Sequence, residues 1–578
     1  MSEKYTIGID FGSLSARAVV VRVSDGEILG EAVHEYTHGI MDRYFTVGDG
    51  HELPPDFALQ VPADYVEAMS RTVPAAVAAA GIDAGDVVGL GLDVTSATVV
   101  VTDADARNLA AYPEFADNPH AYIKMWKHHG AQEQTDRIVA LAEERGEAWL
   151  SRYGGTLSSE MLMPKALELL EKAPEVYDAA AEIMDVLDWL TWKLTGNLVY
   201  SAGDSGYKRM YQDGQYPSKD YLAALNPDFA DVFETKMSHP VVPLGSKVGG
   251  LNENFALVLG LPVGTAVAAG NIDAHVHAPS VGAVQPGQMT GILGTSTCWV
   301  LPSTELIEVP GHFGVVDGGI VDGSWGYEAG QSAVGDSFQW SMDNCVPAEY
   351  VDEAAKLGVS IFKLMGDKAA AQKVGEHGLV ALDWWNGNRS ILVDSHLRGL
   401  MVGQTLTTRP EDMYRAMLEA TAFGARVIIE NFVSHGVPVS EIRVAGGLLK
   451  DKFLMQMYAD ILNRPLCTAT VVQAGAQGSA IFAAVAAGEY PTIVEASEAM
   501  GGFNENAYVP NPEAVAVYDE LYAIYRKLYD FFGRDAKDVM HGLTDIREKA
   551  RGRSGVDAEQ DAESGFGAGS IEVGASGD

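Results

Sequence analysis

Three features of this sequence predict an α/β fold built as two domains with a cleft between them. Segments of strand and helix character alternate along nearly all of the 578 residues, a length beyond what one hydrophobic core fills. A strand–turn–strand device near the N-terminus is matched by a second one at Gly287–Pro302. The three cysteines, Cys298, Cys345 and Cys467, form no Cys-x-x-Cys pair, so neither a disulfide framework nor a cysteine zinc site is indicated.

Taken in order, Tyr5–Asp10 is a short apolar strand ending in the tight turn Phe11-Gly12-Ser13. Ala16–Val23 and Glu27–His34 form a hairpin about Ser24-Asp25-Gly26, with alternating apolar residues and glycine at the turn. Asp64–Ala80 is an Ala-rich helix that feeds the strand Val87–Val94, and helical periodicity returns at Pro164–Ala173 and Ala180–Thr195. Past the midpoint, Gly287–Leu293 is a strand, Gly294-Thr295-Ser296-Thr297 a turn, and Cys298–Pro302 leads back. Glu411–His435 is a long helix with Pro410 at its start and Gly436 after its end. Ile442–Ala445 is a strand broken by Gly446-Gly447, and Asp451–Leu462 is helical. The chain thus divides into residues 1–284, residues 285–551 and a tail, 552–578. That tail is rich in Gly, Ser, Ala and acids, and it buries too little to offset ordering entropy, which predicts disorder. Its Gly565-Phe-Gly567-Ala-Gly569 resembles a dinucleotide loop, but no strand precedes it and no helix follows.

The formal net charge of −39 argues against nucleic acid as a partner, since phosphate backbones are met by clustered Lys and Arg. An anionic ligand must therefore find a local exception built from backbone N–H groups, a helix N-terminus or a bound cation. No apolar run approaches the roughly 18 residues of a membrane helix. The first ten residues enter a strand without a signal-peptide pattern, so cytoplasm and no membrane partner are the expectation.

Three turns suit phosphate or nucleotide. In Gly8-Ile-Asp10-Phe-Gly12-Ser13-Leu-Ser15-Ala-Arg17, an acid at a strand end can hold a Mg²⁺ hydration shell. Gly12 permits a turn whose N–H groups face a phosphate, with Ser13 and Ser15 as hydroxyl donors. Gly294-Thr295-Ser296 is a second small polar turn. Val444-Ala-Gly446-Gly447-Leu448 lets a flat group such as adenine approach the backbone. Each alone reads more readily as an ordinary turn. Together they match what the actin, hexokinase and chaperone ATPases place around ATP. The chain has no Gly-Lys dipeptide, hence no P-loop, and no His-Arg-Asp catalytic loop. Asp273, after Ala268-Ala269-Gly270, is placed to accept a proton from a sugar hydroxyl. On a strand it would instead share a face with His275 and His277, which fits a hydrolase metal site, although no other convincing ligand cluster accompanies them.

These residues resemble the FGGY family of carbohydrate kinases. Asp10–Arg17 is similar to the family's first phosphate motif, Gly294–Thr297 to its second, Val444–Leu448 to its adenosine motif, and Asp273 falls at its catalytic aspartate. Longer runs resemble the members that act on ribulose: Asn118–Tyr122 into Lys124–His129, Arg152–Gly155 with Ser158–Glu160, Gly206–Lys208, Gly326–Asp336 and Leu382–Ser390. Departures are Ser13 in place of Thr, no Trp after Met163-Pro164-Lys165, and a polar Gln473–Ala480 where Leu-Gly-Ala-Ala is expected.

The resemblance implies two actin-like (ribonuclease H-like) ATPase domains, an N-terminal sugar-binding one and a C-terminal ATP-binding one. It implies ATP with Mg²⁺, the ion near Asp10 through water, and phosphorylation of L-ribulose, with D-ribulose as a second candidate, at O5 in L-arabinose catabolism. The phosphate and nucleotide contacts implied are Asp10, Gly12, Ser13, Ser15, Arg17, Gly294, Thr295, Ser296, Gly446, Gly447 and Leu448. The sugar contacts implied are Ser96, Lys208, Asp273 and Glu328, which supply the donors and acceptors that a keto-pentose requires; Trp126 either walls that pocket or packs in a core or interface. A homodimer is also implied. The competing readings are another pentulose or polyol as substrate, and an actin-like or chaperone-like ATPase that phosphorylates no metabolite.

Overall fold

The computed structural model of the protein describes residues 3–54 and 56–550, so the tail expected at 552–578 lies outside the described residues. Two large mixed sheets organise the rest. The first runs Lys247–Gly250, Ala266–Ala268, Val87–Val94, Tyr5–Phe11, Ser15–Arg22, Ile28–Glu35, with Asn271–Ile272 also paired to Val87–Val94. The second runs Gly314–Asp317, Trp325–Gln331, Thr297–Ser303, Gln288–Leu293, Glu441–Ala445, Leu466–Ala469, Phe503–Tyr508.

The duplication suggested by the two turns is present as topology. In each sheet the opening strand pairs antiparallel with the next, which pairs antiparallel with a third. In each, the opening strand also pairs parallel with a later strand, Val87–Val94 or Glu441–Ala445, and that strand takes a further parallel neighbour, Ala266–Ala268 or Leu466–Ala469. Val87–Val94 is a mostly apolar, mostly buried run, as a strand covered on both faces requires, and Glu441–Ala445 is buried over its last four residues. The two largest apolar clusters are separate, one drawn from Tyr5 to Val267 and one from Met289 to Met540. Each fully buried large side chain in them, Trp299 for example, contributes roughly 1.5–3 kcal/mol.

Most sequence-expected elements form within a residue or two of their expected ends. Pro62–Ala80 is a helix with proline in its first turn and Gly81 closing it at φ 65°. Pro410–Ser434 crosses the second core with 17 of its residues buried. One expectation is corrected: Ala180–Thr195 is not a single helix. Glu182–Asp185 is a strand that pairs with Val99–Thr102, and only Val186–Thr195 is helical. A short apolar segment takes the conformation its neighbours offer, and here a strand edge was open.

The helix Ala474–Ala486 comes late in the chain yet packs on the first sheet. Its approach is backbone to backbone: a Cβ on Gly8 would sit 1.7 Å from the carbonyl oxygen of Ala476. Two of the polar residues in the segment that departs from the expected Leu-Gly-Ala-Ala, Gln477 and Ser479, make buried hydrogen bonds. Gln477 Nε2 donates to the carbonyls of Gly26 and Met500, its Oε1 accepts from Ser280, and Ser479 Oγ donates to Asp93. Among the described residues, no helix is long and apolar enough to cross a membrane.

Candidate functional site

The chemistry gathers where strands of the first sheet end. Asp10 and Asp93 are paired in register on adjacent parallel strands, and Asn271 is the partner of Asp93 on the other side. Two backbone bonds carry this line onward: Thr95 N–H donates to Phe11 O, and Asp273 N–H donates to Val94 O. They set the Gly12-Ser13 turn, the Thr95-Ser96-Ala97 turn and Asp273 side by side.

Burial, reinforced by the charges of Asp10 and Asp273, raises the Asp93 carboxyl well above its ordinary range, against the opposing hydrogen bond from Ser479. Asp93 Oδ1 is buried and, among the described residues, finds no hydrogen-bond partner. Asp273 is half-buried; burial first, and then the Asp10 charge, push it up to about 7. Its Oδ1 accepts from Ala274 N–H at 2.7 Å. Asp10 Oδ2 is 3.3 Å from Arg17 Nη1. The start of the helix Ala474–Ala486 also comes close, for a Cβ on Gly475 would lie 3.4 Å from Asp10 Oδ2.

Asp273, His275 and His277 do not share a strand face. Only Asn271–Ile272 is strand, and His277 begins a short helix. His277 Nδ1 donates to the Asp273 carbonyl at 2.9 Å, while His275 Nε2 donates to Glu328 at 3.1 Å. Burial keeps His275 below its ordinary pKa, hence neutral. The metal-face arrangement therefore does not form.

Glu328 lies on Trp325–Gln331 in the second sheet and takes its partners from across the molecule. Lys208 Nζ donates to Oε2 at 3.1 Å, and Arg389 Nη2 donates to Oε1 at 2.9 Å. Burial alone would raise this carboxyl, but Lys208, His275 and Arg389 together hold it far below its usual range. The Lys208 ammonium and the Arg389 guanidinium both lie over the Phe313 ring, at 4.9 and 3.9 Å. Lys208 is thus buried rather than a solvated surface lysine.

The remaining sequence-singled residues make the following contacts. Gly12 N–H donates to Ser15 O across the first turn. Trp126 Nε1 donates to Ser13 Oγ at 3.0 Å, so this indole contacts the phosphate-type turn directly. In the second turn Gly294 N–H donates to Ser296 O, and the N–H groups of Val334, Gly335 and Asp336 clasp the Gly294 and Thr295 carbonyls. Gly446, at φ 102°, meets that turn: a Cβ there would sit 2.4 Å from Leu293 O. Gly447 is exposed, with open space where a Cβ would stand, and half-buried Leu448 follows it. Sequence reasoning singled out neither Asp93 nor Arg389. The signal for Asp93 was an acid closing an apolar strand; Arg389 sits in the Leu382–Ser390 run but carried no motif.

Three comparisons bear on what such a site belongs to. Residues 5–278 match the N-terminal domain, and residues 289–487 the C-terminal domain, of the FGGY family of carbohydrate kinases. The chain belongs to that family. A ribulokinase of Mycolicibacterium smegmatis is 52% identical over 96% of this chain and 99% of that one. A ribulokinase of Geobacillus thermodenitrificans is 48% identical, over 95% and 98%. Among solved structures, gluconate kinase from Lactobacillus acidophilus superposes with a TM-score of 0.76 at 18% identity, covering 93% of this chain and 100% of that one. Xylulose kinase from the same organism gives 0.75 at 18%, with the same coverage. This FGGY kinase accordingly has the two-domain actin-like fold, with its doubled sheets as the two halves.

Proposed function

We propose that the protein catalyses ATP-dependent phosphorylation of L-ribulose, with D-ribulose as a second substrate, at O5 to give ribulose 5-phosphate, the ribulokinase step of L-arabinose catabolism. The observation that carries it is Asp273: a carboxyl poised at about 7, between the phosphate-type turn and the Lys208–Glu328 pair, in a chain about half identical to proteins named ribulokinases. A general base works best when its pKa lies near the working pH.

Residues 1–284 bind the sugar and residues 285–551 bind most of the nucleotide in this reading. Lys208 donates to a sugar oxygen, Glu328 and Asp273 accept from hydroxyls, Ser96 adds a hydroxyl, and Trp126 backs the pocket while holding Ser13. Asp273 orients O5–H and takes its proton. O5 bonds to the γ-phosphorus, the bond from that phosphorus to the β,γ-bridging oxygen breaks, and ADP leaves. Ser13, Ser15, Arg17 and the N–H groups at Gly12 and Gly294–Ser296 meet the phosphate oxygens, and Gly446-Gly447-Leu448 receives the adenosine. The acidic pair Asp10–Asp93, with its orphaned buried oxygen, fits a hydrated Mg²⁺, which would supply charge neutralisation at the phosphates. Cytoplasm and a homodimer complete the reading.

ADP release measured across L-ribulose, D-ribulose, D-xylulose and ribitol tests it. The ribuloses should be turned over at least roughly tenfold faster than the others. D-xylulose or ribitol as the fastest substrate would overturn the sugar assignment. ADP release unchanged by any sugar would instead favour an ATPase of the actin or chaperone type.

A further inference from the structure

Lys165 lies on the helix Leu162–Lys172 and is 1% exposed, yet none of its partners is a carboxylate. Its Nζ donates to two backbone carbonyls, Ala97 O at 2.8 Å and Met125 O at 2.9 Å. Among the described residues no acid comes within ion-pair distance, and burial pushes this ammonium down to about 7. Three residues on, the same helix presents Glu168, whose carboxylate is taken up by Lys124 and His128. The segment Ile123–His129 is therefore gripped by two charged side chains of one helix. Glu168 finds the Lys124 ammonium and the His128 ring there, whereas the hydrogen bonds of Lys165 go only to peptide carbonyls, so its loss of hydration is offset without a directly paired carboxylate.

The two carbonyls are not arbitrary. Ala97 follows Ser96 and adopts φ 48°, a conformation that a non-glycine residue keeps only when its surroundings impose it. Met125 precedes Trp126, whose indole N–H bonds Ser13 Oγ. One ammonium thus ties the turn that carries Ser96 to the segment that fixes the Ser13 hydroxyl.

We propose that Lys165 is a positioning residue for phosphoryl transfer, setting the distance between the sugar-binding turn at Ser96 and the phosphate-binding turn at Ser13 through the Ala97 and Met125 carbonyls. The inference rests on the sugar-site reading given above for Ser96. The test is Lys165→Met, which keeps length and apolar bulk but donates nothing. The sugar KM should rise roughly tenfold or more, because misplacement of about an ångström is enough to cost that much. The KM for ATP should rise less than the sugar KM, because Ser13 is one of several phosphate-side donors and the others do not depend on this tie. Lys165→Gln, which retains one donor, should give an intermediate sugar KM, and it serves if the methionine variant does not fold. A purely structural role would lower the active fraction and leave both KM values unchanged, and that result overturns the proposal. Ser96→Ala separates the two ideas. If it leaves the sugar KM unchanged, the sugar-site reading fails and the positioning role with it. If it raises the sugar KM while correctly folded Lys165 variants do not, only the positioning role fails. In the double variant, a combined loss smaller than the product of the single losses supports the link.

Discussion

Asp273 and Glu328 are neighbouring carboxylates on opposite halves of the fold, and their surroundings drive them in opposite directions. Both lose hydration, which favours the neutral acid in each case. Asp273 faces another acid, Asp10, and moves up to about 7. Glu328 faces Lys208, His275 and Arg389, and stays ionised far below its usual range. Environment, not residue type, divides the labour. A carboxyl that titrates near neutrality can take and release a proton, whereas one locked as an anion can only accept hydrogen bonds and hold cations in place.

Breaking the first half of this contrast should have the largest effect. Asp273→Asn keeps the shape and removes the proton acceptor, so kcat should fall by roughly 10²–10⁴ with the sugar KM largely kept. Turnover near that of the unmodified protein would remove Asp273 from the base role. Breaking the second half should act on binding instead. Glu328→Gln leaves Lys208 and Arg389 buried without their shared counter-charge, so the sugar KM should rise roughly 10- to 100-fold. The melting temperature at pH 7 should fall as well, since a depressed carboxyl contributes stability above its unfolded value near 4.3. An unchanged sugar KM would make Glu328 a structural ion-pair partner only.

The two carboxylates were unequally legible in the sequence. Asp273 could be singled out because a glycine-rich strand end precedes it, and the flanking turns could be read because glycine and small hydroxyl residues dictate their geometry. What sets its pKa could not. Asp93 closes the apolar strand Val87–Val94, and its pairing with Asp10 is a matter of sheet register. Its hydrogen-bond donor, Ser479, is 386 positions away. The charge state of Glu328 likewise depends on residues 120, 53 and 61 positions distant. Lys165 was visible as part of Met163-Pro164-Lys165, but two backbone carbonyls as its partners leave no trace in residue types. The fold itself was more readable, because hydrophobic period and turn chemistry are local. The one helix that became a strand and a helix, Ala180–Thr195, failed where a distant edge at Val99–Thr102 decided the matter.

The smallest expected effect concerns stability, and it follows from the sign of the Asp273 shift. Its folded value, about 7, exceeds the unfolded value near 3.9, so folding prefers the protonated acid. The stability this gives is fully present below about 4 and is lost as pH rises through about 7. At pH 7.5 the folded protein therefore carries an anion that it holds unfavourably, a strain consistent with a catalytic role. Asp273→Asn removes that strain and should raise the melting temperature by roughly 2–5 °C at pH 7.5. The gain should shrink as the pH is lowered from 7 toward about 4, below which the unmodified carboxyl becomes protonated in both states. Thermal melts of the two proteins at pH 7.5, 6.0 and 5.0, without nucleotide or sugar, measure it. A difference independent of pH would mean that Asp273 titrates alike in folded and unfolded chains, and its contrast with Glu328 would then reduce to the depressed carboxyl alone.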